Sequence, residues 1–416
     1  MIVLSHPTGN ANSRAAALGL AHAGQLGAFH TSIATFPGGW LDRVATLPGL
    51  GELRRRRFDP ALRPVTATWP WREAGRLVAA RRGWRSLVAH ERGPFSVDAV
   101  YQSLDRRIAS TLGGRTRPAA VYAYEDGAEA SFRAARALGI ACLYDLPTGH
   151  WRAARRLLGV ELERWPEWAS TMVGFADSPE KLERKDNELR LADHIFVASS
   201  NTRRTLADFP GTLPPIHVIP YGFPPAAQPK PQDYAASRPL KLLFVGNLSQ
   251  AKGVANLFAA VEALGDAVSL TVVGRKAGQP NAALDAGLSR HHWIPSLPHD
   301  AVLREMRAHD VLVFPSLFEG FGMVMSEAMS QGTPVITTDR TAGGDLIEHG
   351  RNGWLFEAGN TESLRQAIEH LLQNPDQVPV VGQAALETAR ARPWEVYGQE
   401  LAATVARLLE EKKIAA

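Results

Sequence analysis

Short apolar runs alternate along this chain with longer stretches in which apolar side chains recur at helical spacing. That alternation is the signature of α/β layers built on parallel sheets. In the first half, strands are expected at Ile2–Leu4, Ala119–Tyr124, Ala141–Tyr144 and His194–Ala198, with a further short strand and turn over His217–Gly222. Gly127–Leu138 and Ser178–Ala192 read as helices between them. In the second half, strands are expected at Lys241–Val245, Ser269–Val273, Val311–Phe314 and Pro334–Thr337, and Trp394–Lys412 reads as an amphipathic helix. Between the halves, Phe223–Pro239 holds Pro224, Pro225, Pro229, Pro231 and Pro239. Such proline density suits neither a helix nor a central strand, so this stretch is expected to be a linker. The pattern divides the chain into an N-terminal domain over 1–222, a linker over 223–239, a second domain over 240–393 and a terminal helix over 394–416.

The length of 416 residues fits two domains, each large enough to bury its own core. No run of about 18 apolar residues occurs, so no membrane-spanning helix is expected. Met1–Leu4 lacks a basic flank and a small-residue cleavage site, and reads as a first strand rather than a signal peptide. The single cysteine, Cys142, rules out an intrachain disulfide and reads as a small core residue. A cytoplasmic protein is expected.

Charge changes the picture of the first half. Residues 1–225 carry 29 Lys and Arg against 21 acids, whereas the remainder carries 17 against 21. The excess peaks over Gly51–Arg92, which includes Arg54-Arg55-Arg56-Arg57. There Leu77, Val78, Arg81, Trp84 and Val88 recur at helical spacing within Gly75–His90, and Trp69 and Trp71 lie just upstream. A basic amphipathic helix with tryptophans suits an anionic membrane surface or an anionic acceptor. The competing reading is a solvated helix whose apolar face meets its own domain. The first places the protein peripherally on the cytoplasmic face of a membrane. No nucleic-acid partner is expected.

Two segments of the second half carry chemistry. In the first, Leu242-Leu243-Phe244-Val245 ends at Gly246, and Asn247-Leu248-Ser249-Gln250-Ala251 leads to Lys252-Gly253 at a helix start. Backbone N–H groups and an ammonium at a strand end of an open sheet form an anion site. This is not a Walker A loop, because the glycine follows the lysine. In the second, Glu319-Gly320-Phe321-Gly322 follows the strand Val311–Phe314, a helix starts near Met323, and Glu327 lies about one turn inside it. The two glycines allow close backbone approach to a ligand. Two carboxylates eight positions apart flank a phosphate-accepting helix end, and each can accept two sugar hydroxyls.

Gly246–Gly253 and Glu319–Glu327, with Gln331-Gly332-Thr333-Pro334-Val335-Ile336, resemble the retaining GT-B glycosyltransferases of family 4, whose Glu-x7-Glu motif the glutamate pair matches. The likeness is nearly continuous from Leu240 to Leu372 and looser in the first half, at Ala192–Ser199 and Ile219–Gly222. It implies two Rossmann-like domains facing across a cleft, with the donor nucleotide on the C-terminal domain, the acceptor on the N-terminal one, and the last helix crossing back to the first domain. It further implies that Lys252 neutralises the donor diphosphate, that Glu327 binds the ribose and that Glu319 holds the transferred sugar. Phe321, Gly322, Met323 and Val324 would offer backbone N–H groups, Ile294 and Pro295 would contact the base, and Gly9 would lie near the phosphate side. His150, in Tyr144–His150, falls where the family places a histidine facing the donor sugar; a structural hydrogen-bonding histidine is the alternative.

Two departures stand out. Asn247 occupies the position where the family carries arginine, for which Arg275 or Lys276 would substitute. The loop His6–Asn10 lacks the usual paired glycines. Without an Asp-x-Asp motif, no metal or other cofactor is expected, and a UDP- or GDP-linked sugar is the expected co-substrate, with ADP an alternative. The expected reaction transfers the sugar with retention to a lipid, glycan or small-molecule acceptor. The rivals are a GT-B epimerase or phosphorylase, and a non-catalytic scaffold that binds sugar nucleotides.

Overall fold

The computed structural model describes all residues except 46–50, 115–116, 173–174, 231–237 and 416. Thirteen strands among them form two parallel sheets. The first contains β1 (Ile2–Ser5), β2 (Leu26–Thr31), β3 (Thr66–Thr68), β4 (Ala120–Tyr124), β5 (Ala141–Leu146), β6 (His194–Val197) and β7 (Ile216–Val218), in the order β3-β2-β1-β4-β5-β6-β7. The second contains β8 (Leu240–Val245), β9 (Val268–Val273), β10 (His292–Ile294), β11 (Val311–Phe314), β12 (Val335–Thr338) and β13 (Trp354–Phe356), in the order β10-β9-β8-β11-β12-β13. The helices used below are α1 (Ala11–His22), α2 (Trp71–Arg81), α3 (Trp151–Arg164), α4 (Pro179–Leu191), α5 (Val254–Leu264), α6 (Met323–Ser330) and α7 (Trp394–Ala415).

Every residue of β4, β5, β11 and β12 is buried, as helix layers on both faces of a parallel sheet require. These are the strands that stand out as apolar runs. Four strands fall outside the expected set. β3 and β10 are three-residue edge strands with exposed positions, β13 is a three-residue edge strand, and β2 carries Gly27 and His30 inside its run.

Strand order fixes where a ligand can sit. In an open parallel sheet the crevice opens at the carboxyl ends of two neighbouring strands whose connections leave in opposite directions. Here those pairs are β1 and β4 in the first sheet, and β8 and β11 in the second.

Three features join the halves. Helix α7 lies along α1, where its Tyr397, Leu401, Val405 and Leu408 share a core with Ala16, Ala17 and Leu20. A Cβ on Gly19 would lie 2.3 Å from the Gly398 carbonyl oxygen, so the two backbones touch. The two crossings between halves run side by side: Phe223 pairs with Pro393, and the Phe223 N–H donates to the Arg392 carbonyl at 2.8 Å. Residues 231–237 of the expected linker lie outside the described residues.

The third feature corrects the expected domain boundary. Residues 1–222 do not all belong to the first sheet's body. The end of α3 and the 3-10 helix Pro166–Thr171 pack on the second sheet, where Trp168 joins a core with Leu257, Phe258 and Leu284. Asn281 Nδ2 donates to the Glu167 carbonyl at 2.6 Å, and the Gln279 N–H donates to that of Ser170 at 3.2 Å. Apolar Trp168 draws this polar-flanked segment across.

The basic segment also differs from the expected single helix over Gly75–His90. Helix α2 stops at Arg81, Gly83 turns the chain at a φ of 70°, and a 3-10 turn follows over Arg85–Val88. Trp69 faces inward, its indole N–H donating to Ser103 Oγ at 3.1 Å. Arg56 is buried against Glu73, which Arg76 also grips through two hydrogen bonds.

Candidate active site

After β8 the chain passes Gly246 and Asn247 and makes a 3-10 turn over Gln250–Lys252 before α5 begins. Gly253 caps α5 with a φ of 69°, in the left-handed region that side chains with a Cβ rarely adopt. A Cβ there would lie 2.1 Å from the Pro315 carbonyl oxygen. The turn after β8 and the loop after β11 are thus in backbone contact, and the Leu317 N–H donates to the Ala251 carbonyl at 3.0 Å. Across that contact the Lys252 ammonium pairs with the Glu319 carboxylate. Each side chain keeps about a fifth to a quarter of its surface exposed, 24% for Lys252 and 20% for Glu319, so the pair faces solvent at the crevice.

Helix α6 begins at Met323 after Gly322, which has no side chain to cap it, and no side chain accepts from its first turn. Those N–H groups carry the positive end of the helix dipole and suit an anion. Glu327 lies one turn further in. Burial raises its carboxyl above the ordinary range, and His299, with Nδ1 at 3.7 Å, partly counters this. No closer cation meets Glu327 among the described residues, so its oxygens are available to hydroxyl donors.

On the far side of β8, the Leu248 N–H donates to the Arg275 carbonyl at 2.8 Å, and the Gly274 N–H donates to that of Ile294 at 2.9 Å. Gly246, Asn247, Arg275, Ile294 and Pro295 therefore adjoin one another. Arg275 is exposed, with Nη2 at 3.5 Å from Ser296 Oγ. Lys276 instead pairs with Asp285 and lies 4.6 Å from the Trp293 ring centroid. Arg275 is the better placed of the two to supply the missing cation.

The first sheet's crevice is built differently. His6 is buried beside Arg56 and Arg14, and its pKa falls to about 3 through burial and those two charges. The neutral ring accepts the Gly9 N–H on Nδ1 at 2.9 Å. Gly9 has a φ of 64° and packs under the Phe58 ring. This contact shapes the loop that lacks the usual paired glycines. His150 is buried at the start of α3, just after Pro147–Gly149, which lie against Phe318 and Gly320 of the glutamate loop. Its ring is 2% exposed, lies against Trp151 and Phe209, and has Nε2 at 3.4 Å from Asp186. Burial holds the imidazole below its ordinary pKa. Its Nδ1 is buried with no hydrogen-bond partner among the described residues.

Sequence reasoning missed the residues that hold the glutamate loop from the first domain. Ser199 Oγ and Thr202 Oγ1 donate to the Gly320 carbonyl at 2.5 and 2.9 Å, and Asn201 Nδ2 donates to that of Glu319 at 3.0 Å. The signal available was a run of small polar residues directly after an apolar strand. Among the described residues the one cluster of metal-ligating types is His90, Glu91 and Asp177, and Lys181 Nζ already lies 3.0 Å from Asp177.

An ammonium, an uncapped helix start and two carboxylates share the crevice between β8 and β11. That set suits a ligand that joins phosphate to a polyol. Residues 228–388 match the family model described as Glycosyl transferases group 1. D-inositol 3-phosphate glycosyltransferase of Nocardia farcinica is 27% identical over 289 residues, which cover 60% of this chain and 64% of that protein. Glycogen synthase of Mycobacterium tuberculosis is 27% identical over 195 residues, covering 45% and 47%. The chain thus spans about half to two thirds of the length of these curated relatives. The structure of sucrose-phosphate synthase from Thermosynechococcus elongatus superposes with a TM-score of 0.63 at 18% identity, covering 100% of this chain and 99% of that one. Anabaena Alr3699/HepE in complex with UDP-glucose gives 0.62 at 16% identity, covering 98% and 99%. No helix among the described residues is long and apolar enough to cross a membrane. The match to the glycosyl transferases group 1 model thus falls on the second half of the chain, within a two-domain α/β chain that has the GT-B fold.

Proposed function

We propose that the protein transfers a sugar from a nucleoside-diphosphate donor, with retention of anomeric configuration and without a metal, to an acceptor bound by the first domain. The observation that carries this is the Lys252–Glu319 pair at the ends of β8 and β11, beside the uncapped start of α6. A donor presents phosphate oxygens and sugar hydroxyls a few bonds apart. It divides the pair, Lys252 turning to the diphosphate and Glu319 to the sugar, while Glu327 takes the ribose. As the anomeric C–O bond breaks, negative charge grows on the leaving diphosphate. Lys252 and the α6 N–H groups stabilise it by fixed, preorganised charge. The solved HepE complex, which holds UDP-glucose, supports a uridine nucleotide as the donor. A hexose is the proposed cargo. Retention follows from the resemblance to family 4, with a donor phosphate oxygen assisting deprotonation of the acceptor.

The test is turnover of UDP- and GDP-sugars in saturating EDTA, with the anomeric proton of the product followed by NMR. Transfer that stops in EDTA and returns with Mg2+ removes the metal-free step, and an inverted product removes retention.

We also infer that α2 touches an anionic membrane surface. Trp71, Val78 and Trp84 expose 69%, 52% and 46% of their surface, so these three apolar side chains face solvent, whereas Ala79 is buried and Leu77 and Val88 are half-buried against their own domain. Arg72, Arg81, Arg82 and Arg85 lie among them. Each basic residue near an anionic bilayer contributes about 1 kcal/mol, so several together hold a protein there reversibly. Arg56 and Arg76 contribute nothing to this, because both serve Glu73. Co-sedimentation with phosphatidylserine vesicles at low salt, reversed at high salt, is expected. Absence of binding at low salt overturns the inference.

A further inference from the structure

The turn that carries Lys252 is held from beneath by a residue of the other half of the chain. Gln250 is fully buried. Its Nε2 donates to Glu161 Oε2 at 3.0 Å and to Asn256 Oδ1 at 2.9 Å, and its Oε1 accepts the Ala255 N–H at 3.0 Å. Its backbone N–H donates to Thr171 Oγ1 at 3.0 Å. Every donor of this residue is used, and two partners, Glu161 and Thr171, come from the segment that crosses to the second sheet.

Glu161 is itself 2% exposed. Its other oxygen accepts from Arg164 Nη1 at 3.2 Å, and that nitrogen also donates to the Gly359 carbonyl at 2.7 Å. Asn256 Nδ2 donates to Thr361 Oγ1 at 2.9 Å. The network therefore ties α3, α5 and the loop after β13 to one amide. Around it Leu158 and Met172 pack with Leu317, under the glutamate loop. A carboxylate and an amide inside the protein cost more to desolvate than an apolar filling would. What they provide is direction, since each hydrogen bond fixes an orientation. Only Ala251 separates Gln250 from Lys252, and the 3-10 turn is closed by the Gly253 N–H donating to the Gln250 carbonyl at 2.9 Å. Displacing Gln250 therefore displaces the lysine.

We propose that Glu161 and Gln250 are positioning residues for the donor diphosphate, a buried pair that sets the turn presenting the Lys252 ammonium. The proposal rests on the reading of Lys252 as the diphosphate's cation. It makes the donor pocket a product of both halves of the chain, because α3 supplies one member of the pair.

The experiment titrates UDP and GDP by calorimetry into the full chain and its variants, with thermal unfolding recorded in parallel. Gln250→Glu sets two carboxylates face to face, and nucleotide affinity is expected to fall about ten-fold or more. Glu161→Gln is the milder variant, and its loss is read in the same way should Gln250→Glu not fold. The exchanged double variant, Glu161→Gln with Gln250→Glu, rebuilds the central hydrogen bond with donor and acceptor reversed and is expected to recover most of the affinity. In a Lys252→Ala background, Gln250→Glu brings no further loss, because its effect passes through the lysine. A lower Tm with unchanged nucleotide affinity overturns the proposal, as do losses that add to that of Lys252→Ala. Lys252→Ala binding as tightly as the unmodified chain, or no binding of either nucleotide to the unmodified chain, overturns the donor reading instead.

Discussion

At the carboxyl ends of β1 and β4, the charged groups answer one another. Arg56 grips Glu73 and the Thr8 carbonyl, and neutral His6 accepts the Gly9 N–H, leaving a loop closed by its own side chains. At the ends of β8 and β11, Lys252 and Glu319 pair across two touching loops but stay partly open to solvent, and no side chain accepts from the first turn of α6. Two sheets of like topology thus give one crevice set for an anion and one set to hold its own shape. Strand order chooses where a ligand can lie. Whether charges there are consumed or exposed separates the two crevices, and the proposed reaction uses the exposed set.

The sharpest way to break this contrast is to remove the exposed charges. Lys252→Ala and Glu327→Ala are each expected to lower kcat/KM by about 10²-fold or more with folding intact. Steady-state kinetics beside circular dichroism checks this, and near-normal turnover in both removes the assignment of the second crevice. The next largest effect sets glycine against glycine. Gly253→Ala meets both a left-handed φ and a backbone oxygen, and is expected to cost about 2–4 kcal/mol of stability. Gly9→Ala has a similar φ but meets the tip of the Phe58 ring, a side chain able to shift, so about 1–2 kcal/mol is expected. Equal losses on chemical denaturation would show the two loops to be equally constrained.

The smallest effect concerns pH. Burial raises the Glu327 carboxyl, so the folded chain binds that proton more tightly than the unfolded chain does. Its contribution to stability is therefore complete below the unfolded value and is lost as pH rises through the raised one. Glu327→Gln should raise Tm by about 1–2 °C at pH 8, with the gain vanishing in acid, while weakening nucleotide binding. A Tm below that of the unmodified chain at pH 8 would mean that Glu327 is paired more strongly than His299 alone explains.

Legibility in the sequence followed distance along the chain. Glu319 through Glu327 and Gly246 through Gly253 are contiguous, and a strand, a turn and a helix start translate such spacing directly into place. Glu161, Thr171 and Ser199 act on the same loops from 89, 79 and 121 residues away, and no local pattern announces such partners. Composition likewise reports a charge without its direction. Arg54–Arg57 read as one basic patch, yet Arg56 turns inward to a glutamate 17 residues on. Buried central strands were legible because both faces demand apolar side chains. Edge strands such as β3 and β10 were not, since half their surface answers to solvent.

The return of α7 to α1 has a consequence for the order in which the molecule is made. Of the two domains, the one synthesised first is completed second, because Ala16, Ala17 and Leu20 wait for Tyr397, Leu401 and Val405 of α7. Until then an apolar strip of α1 stays open to water and to other nascent chains, the usual setting for misassembly. The body built on β8–β13 is nearly continuous in sequence, and its partners from the first half, the α3 segment and Ser199–Thr202, are already synthesised by then. It can close first and present α7 to a waiting groove. A chain cut before Trp394 would leave its first domain without a wall and would strip Trp394 and Tyr397 from the Tyr221 ring that packs on Phe321.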